Sequence, residues 1–380
     1  MDAFFAALGR RLADPSRRAR NAAQKPLDQC TCGQPIFFGN SHCLNCQSAL
    51  GYLPAYGKVA TLAPTELPYR WRLDADPQSP HYRRCANLDS PAMCNWLVPA
   101  DSEHHFCLAC RLSRTIPDLS VPGNALRWSK LEAAKRRMVS QLLALGLPVV
   151  PRTEDSEAGL AFDFLGTDYS GHQPVTGHAS GLITLNIEEA DDARREQVRT
   201  ELNEPYRTLL GHFRHEVGHY YWDRLVADSA WLEPFRECFG DERADYGQSL
   251  EQHYQQGPPS DWPSRYISAY ATMHPWEDWA ETWAHYLHMM DTLDTALTFG
   301  MRAGVGVLHF EPFTRESLHM TDDSDGQQFL DFVNAWIELA AMLNELSRSM
   351  GQSDIYPFVL SAAVVAKLHF VHRVVGATTP

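Results

Sequence analysis

His215-Glu216-Val217-Gly218-His219 is the stretch on which the reading of this chain turns. On an α-helix, positions i and i+4 share one face, so the two imidazoles reach toward a single point. Neutral imidazole is a good zinc ligand. Glu216 stands beside that point and is placed to take a proton from a zinc-held water, whose pKa the metal lowers to about 7. Gly218 keeps the helix surface thin where another segment must approach. Around the motif, Leu209, Leu210, Phe213, Val217, Tyr220 and Tyr221 supply an apolar side, so the pattern predicts a helix set into a core.

Two histidines leave a catalytic zinc one protein ligand short. The best donor lies downstream in His274-Pro275-Trp276-Glu277-Asp278-Trp279-Ala280-Glu281-Thr282-Trp283. Trp276, Trp279, Trp283, Tyr286 and Leu287 form an aromatic stripe at helical spacing, with Glu277 and Glu281 an i, i+4 pair beside it. One carboxylate can bind the metal while the other hydrogen-bonds a ligand imidazole, and Glu277 is the favoured ligand. Two alternatives stay open, Asp241-Glu242-Arg243-Ala244-Asp245 and His274. The first is better suited to pairing Arg243 with a neighbouring carboxylate.

Eight of the nine cysteines fall in two groups of four, Cys30, Cys32, Cys43, Cys46 and Cys85, Cys94, Cys107, Cys110. Each group supplies the four thiolates of a structural zinc site. Cys30-x-Cys32 is a shorter knuckle than the C-x₂-C pairs, and His42, His104 or His105 could stand in for a thiol. Cys238 reads as an inert core thiol. Clustered thiols point to metal and a reducing compartment, hence a cytoplasmic protein.

The wider chain fits this picture. Its 380 residues exceed one ordinary core. The expected division is a basic tail over 1–25, a Cys-rich zinc-ribbon module with two metal sites over 26–116, and a metallopeptidase domain over 117–380. A net charge of −14 disfavours a general nucleic-acid-binding role, although Arg10, Arg11, Arg17, Arg18, Arg20 and Lys25 make the start basic. In the ribbon module, Arg70, Arg72, Arg83, Arg84, Arg111 and Arg114 accompany Trp71, Tyr82 and Trp96, a rim on which a protein partner could dock. No apolar run reaches the ~18 residues of a membrane helix.

Helical spacing marks Leu126–Leu145, with Lys130, Lys135, Arg136 and Arg137 expected to face outward. A second helical stretch runs from about Asp192 to Leu225 with a break expected at Pro205, and a third from Pro275 to Met290. Gly181 to Ile187 alternates as a strand. The expected fold is α+β, largely helical with a small sheet. That strand is expected at the sheet's edge, where Leu182, Thr184 and Leu185 would bind a peptide by main-chain pairing.

HExxH followed by a Glu-xxx-Glu helix resembles the gluzincin metallopeptidases, a zincin-like fold. Glu277-Asp278-Trp279-Ala280-Glu281 is similar to the E-F-F-A-E helix of the lethal-factor type. In that type a tyrosine seven residues before the ligand Glu helps stabilise the transition state, which implies that role for Tyr270. Over nearly its full length the chain also resembles a bacterial family of zinc-binding metallopeptidases with an amino-terminal zinc-ribbon segment. The likeness runs through Cys94–Val98, His215–His219, Gly240–Tyr246, His274–Tyr286 and Tyr356–Leu360.

Two functions follow as expectations. One is a peptidase with one catalytic and two structural zinc ions, acting on a peptide or protein substrate with Glu216 as general base. The other is an adaptor that docks a partner on its zinc ribbons and carries a latent or inactive peptidase fold.

Overall fold

A computed structural model of the chain describes residues 28–167, 174, 176–201, 208–301 and 310–378. The basic stretch over 1–25 and the expected break at Pro205 lie outside them. Among the described residues the chain divides into two compact units, 28–144 with 148–195, and 145–147 with 196–378. The fold is mixed α and β. No helix is long and apolar enough to cross a membrane among the described residues.

The first unit opens with a five-stranded antiparallel sheet in the order β1 (Leu50–Leu53), β2 (Lys58–Pro64), β3 (Trp71–Leu73), β4 (Tyr82–Arg84), β5 (Leu97–Pro99). Leu53, Leu62 and Leu97 make its small core, flanked by Trp71 and Tyr82. Helix α1 (Leu108–Arg111) follows, then β6 (Ser113–Thr115) and α2 (Asn124–Ala144). The second sheet has the order β6, β7 (Ala161–Leu165), β9 (Leu182–Asn186), β8 (Gly177–Ala179). In it β6 pairs with β7 as a parallel neighbour.

Two expectations need correction here. Lys135 and Arg136 do not face solvent: both are buried, Lys135 completely. Lys135 lies 2.7 Å from Glu132 and donates to Ser113, while Arg136 donates to the Ala92 carbonyl at 2.8 Å. Lys135 falls on the same helical stripe as Leu131, Met138 and Leu142, and the charge is tolerated because a carboxylate on the preceding turn pairs with it. The strand β9 is not an edge. It pairs in parallel with β7 through Leu182–Asn186 and antiparallel with β8 through Leu182–Thr184. Leu182 and Thr184 are thus paired on both sides, which leaves β9 no free edge over those residues for a peptide to join, and the Leu185 side chain is buried.

The second unit is helical among its described residues. Helix α3 (Asp192–Glu201) leads into it, followed by α4 (Leu209–Leu225), α5 (Leu232–Phe239), α6 (Tyr246–Gln256), α7 (Pro275–Thr298), α8 (Gly326–Ser349) and α9 (Ala362–Ala377). Caps mark the starts. Thr208 accepts from the Gly211 amide, Asp245 from Gln248 and Ser361 from Val364, while His274 accepts from Trp276 just ahead of a proline at the first helical turn.

Helices α4 and α7 pack face to face because Gly218 has no side chain. A Cβ there would lie 3.1 Å from the Ala280 Cα and 3.2 Å from Trp283. Trp279 Nε1 donates to the Gly218 carbonyl at 2.8 Å. Trp279 and Trp283 are fully buried, as the aromatic stripe predicts. Helix α9 is tied to α7 by a buried ion pair, Lys367 to Asp278 at 2.6 Å.

Candidate metal centre

The α4–α7 contact sets the site. It brings His215 and His219 on α4 against Glu277 on the first turn of α7, with ligand-type atoms of all three within 4.8 Å of one another. Glu277 Oε2 lies 3.0 Å from His215 Nε2, and Oε1 lies 3.4 Å from His219 Nε2. Oε2 is buried without a hydrogen bond. Two imidazole nitrogens and one carboxylate facing a common point are the donor set of a catalytic zinc. A buried acceptor with no hydrogen-bond donor fits a cation there.

The His215 ring is held from behind. Glu281 Oε1 is 2.7 Å from His215 Nδ1, and Ser268 donates to the other oxygen of Glu281 at 2.6 Å. This fixes the ring and directs Nε2 to the site. The indole of Trp276 packs on the His219 ring at 4.0 Å between centroids.

The electrostatics favour positive charge at this point. Burial works against a charged His215, but the carboxylates of Glu277 and Glu281 outweigh it and hold its pKa well above the ordinary value. Partial burial would raise the Glu281 pKa, yet its bond to His215 brings it down to about 2. Glu277 is likewise held well below the usual carboxylate range against burial, by His219 and His215. The field that stabilises a proton on the His215 ring would stabilise a metal ion.

Glu216 is buried beside the ligands and meets His212 Nε2 at 3.2 Å, one helical turn back. Burial pushes its pKa up, and His212 with the two site histidines pulls it below the ordinary value. Tyr270 places its ring 6.0 Å from that of His215, and burial with the nearby Glu277 raises its phenol pKa, so the hydroxyl keeps its proton at neutral pH.

The two alternative donors are engaged elsewhere. His274 uses Nδ1 to cap α7 and Nε2 on the Ala244 carbonyl. Asp241 binds Arg243, Glu242 binds Arg236, and Asp245 caps α6. Sequence reasoning missed three residues. Ser268 behind Glu281, His212 behind Glu216, and Tyr246, which donates to Glu277 Oε1 at 3.0 Å, all touch the site. His212 is a turn before Glu216 on the same helix, and its spacing was a usable signal. Tyr246 and Ser268 carried none, since only the fold brings them in.

In the first unit each cysteine quartet converges. Cys30 and Cys46 Sγ atoms are 3.4 Å apart, Cys32 and Cys43 3.7 Å, and Cys94 and Cys107 3.6 Å. Tetrahedral zinc with Zn–S bonds of about 2.3 Å needs sulfurs about 3.8 Å apart, far from disulfide length. In the first quartet Cys32 and Cys46 are exposed, whereas all of the second is buried. Gly33 at φ +88 makes the tight return after Cys32. His42 contacts Ser41, His104 contacts Arg111 and His105 contacts Arg83, so the thiols keep both sites to themselves. Several rim arginines are used internally, with Arg83 on the Ser102 and His104 carbonyls, Arg84 on the Ser41 carbonyl, and Arg111 and Arg114 on Glu154 and Asp163. Cys238 belongs to neither quartet, and burial raises its thiol to about 12.

A family model described as "Putative zinc-binding metallo-peptidase" matches residues 124–374, and one described as a zinc-ribbon domain matches residues 27–121. The chain is 45% identical over 351 residues to uncharacterized proteins of Mycobacterium tuberculosis and Mycobacterium bovis, covering 92% of this chain and 94% of theirs. No solved structure matches it.

Proposed function

The chain belongs to this family of zinc-binding metallo-peptidases, and we propose that it is a gluzincin-type, zincin-like peptidase that hydrolyses peptide bonds at the α4–α7 contact. The observation that carries the reading is the convergence of His215, His219 and Glu277, with Glu216 buried alongside. When bound there, zinc supplies Lewis-acid activation of water and of the scissile carbonyl. Glu216, ionised at neutral pH, takes the proton from the attacking water and returns it to the amine as the C–N bond breaks, a role worth about 10²–10⁴-fold. The protonated phenol of Tyr270 donates to the oxyanion that develops on the carbonyl. Glu281 and Ser268 keep the His215 ring from turning.

The two cysteine quartets would each hold a structural zinc, for a total of three ions per chain, and their thiolates suit a compartment that keeps cysteine reduced, the cytoplasm. The ribbon module would then recruit a protein partner or substrate.

Peptide hydrolysis by wild type and by Glu216→Gln tests the reading. The variant is expected to keep three zinc ions and lose turnover by about 10²-fold or more. Equal cleavage by both proteins would assign the activity to a contaminant and leave the adaptor with a latent or inactive peptidase fold as the better account.

A further inference from the structure

Helix α6 is an unusual neighbour for a buried metal centre. None of its residues is buried, and it is flanked by two glycines in positive-φ conformations, Gly240 at +107 and Gly257 at +69. It nevertheless reaches the site. The Tyr246 hydroxyl donates to Glu277 Oε1 at 3.0 Å. Its ring packs beside His274 and Trp276, at 5.4 and 6.4 Å between centroids, on the turn of α7 that carries Glu277. At the other end of α6, His253 meets Thr272 at 3.5 Å.

The two oxygens of Glu277 are therefore unequal. Oε1 has a donor on it, and Oε2 is buried with none, 3.0 Å from His215 Nε2. A free carboxylate can close on a metal with both oxygens, which would crowd out the position that water needs. A phenol held on Oε1 opposes that closure and keeps the carboxylate from rotating.

We propose that Tyr246 is a positioning residue, which occupies Oε1 of Glu277 so that the carboxylate offers the metal one oxygen and the site stays open for water. The assignment rests on Glu277 being a metal ligand. It gives Tyr246 a role separate from that of Tyr270, since its hydroxyl acts through the carboxylate.

The test follows zinc itself. Wild type, Tyr246→Phe, His253→Ala and His215→Ala are loaded with zinc, and its transfer to a chromogenic chelator is timed. Tyr246→Phe removes one hydroxyl from a half-exposed side chain and is expected to release the third zinc about 10-fold faster or more, with the two cysteine-held ions unchanged. His253→Ala loosens the other end of α6 but leaves the hydroxyl, and should release zinc as wild type does. Cobalt placed in the third site gives a second readout. Tyr246→Phe should show an altered visible spectrum, as the second carboxylate oxygen takes the position that water holds in wild type.

Wild-type release kinetics or a wild-type cobalt spectrum in Tyr246→Phe overturns the assignment, as does equally fast release from His253→Ala. If wild type and His215→Ala bind the same amount of zinc, the metal centre and the role of Tyr246 fall together.

Discussion

Replacing Gly218 with alanine sets two effects of known size against each other. In an exposed helix interior the change gains about 0.8–1 kcal/mol from helix propensity. Here the added Cβ would lie 3.1 Å from the Ala280 Cα, 3.2 Å from Trp283 Cδ1 and 3.3 Å from Cγ. Carbon pairs prefer about 3.5–4.0 Å, so every contact is too short by a few tenths of an ångström or more. Neither neighbour can give way. Ala280 Cα is backbone of α7, and the fully buried Trp283 stacks on Tyr221 at 5.0 Å and lies 5.6 Å from Trp279.

Overpacking of this kind costs about 1–3 kcal/mol, and stretching the Trp279 bond to the Gly218 carbonyl costs up to roughly 1 kcal/mol more. Together these terms leave a net loss of about 0–3 kcal/mol, centred on ~1.5 kcal/mol, equivalent to roughly 3–6 °C in melting temperature for a unit of this size. The helices must part to relieve the contact, which also widens the gap between His219 and Glu277 and weakens the third zinc. Calorimetry with zinc analysis reads both effects. Gly247→Ala is the internal control, because its Cβ would meet only the Asp245 Oδ1, at an ordinary contact distance of 3.4 Å, and should be neutral or stabilising. A Gly218→Ala protein that melts as high as wild type, with three zinc ions, would refute the packing argument.

Other outcomes are expected. Cys94→Ser, in the wholly buried quartet, should lower bound zinc from three ions to two; an unchanged count by metal analysis would remove that site. Lys367→Met strands the fully buried Asp278 carboxylate and should cost about 3–5 kcal/mol in urea unfolding, with part regained by adding Asp278→Asn. A single variant as stable as wild type would mean the pair does not tie α9 to α7. Stability should also fall with acid. Burial, with Arg214 adding to it, holds His288 well below its ordinary pKa, and burial lowers His372 to about 3. The unfolded chain takes up these protons near pH 6.5 and the folded one does not, so stability is full above that pH and declines below it toward about 3, by up to about 1.4 kcal/mol per pH unit for each group. Urea midpoints at pH 7.5 and 5 check this, and His372→Gln should flatten the difference.

Some of the site was legible because its geometry is local. The His215–His219 pair, the Glu277–Glu281 pair and the tryptophan stripe each need only the pitch of a helix, and the C-x₂-C knuckles need only a tight turn. Errors arose where charge was read as exposure. Lys135 sits at helical spacing from Leu131 and Met138, a core position, and its partner Glu132 was on the adjacent turn. Alternation marked Leu182–Ile187 as a strand but held no information about its neighbours, because an edge and an interior strand present the same period along the chain. Tyr246 approaches Glu277 from 31 residues away in sequence, and no periodicity links them.

By itself, then, the sequence determined which helices carry donors and on which face, along with the two cysteine quartets that call for metal. Only the tertiary structure decided that Glu277 and not Asp241, Glu242, Asp245 or His274 faces the two imidazoles, that Glu281 and Ser268 hold the His215 ring, and that β9 is enclosed. The physical reason is that side-chain spacing within one helix is set by backbone hydrogen bonds between near neighbours, whereas the meeting of α4 with α7 depends on packing between distant segments, here through one glycine that lets the two backbones approach.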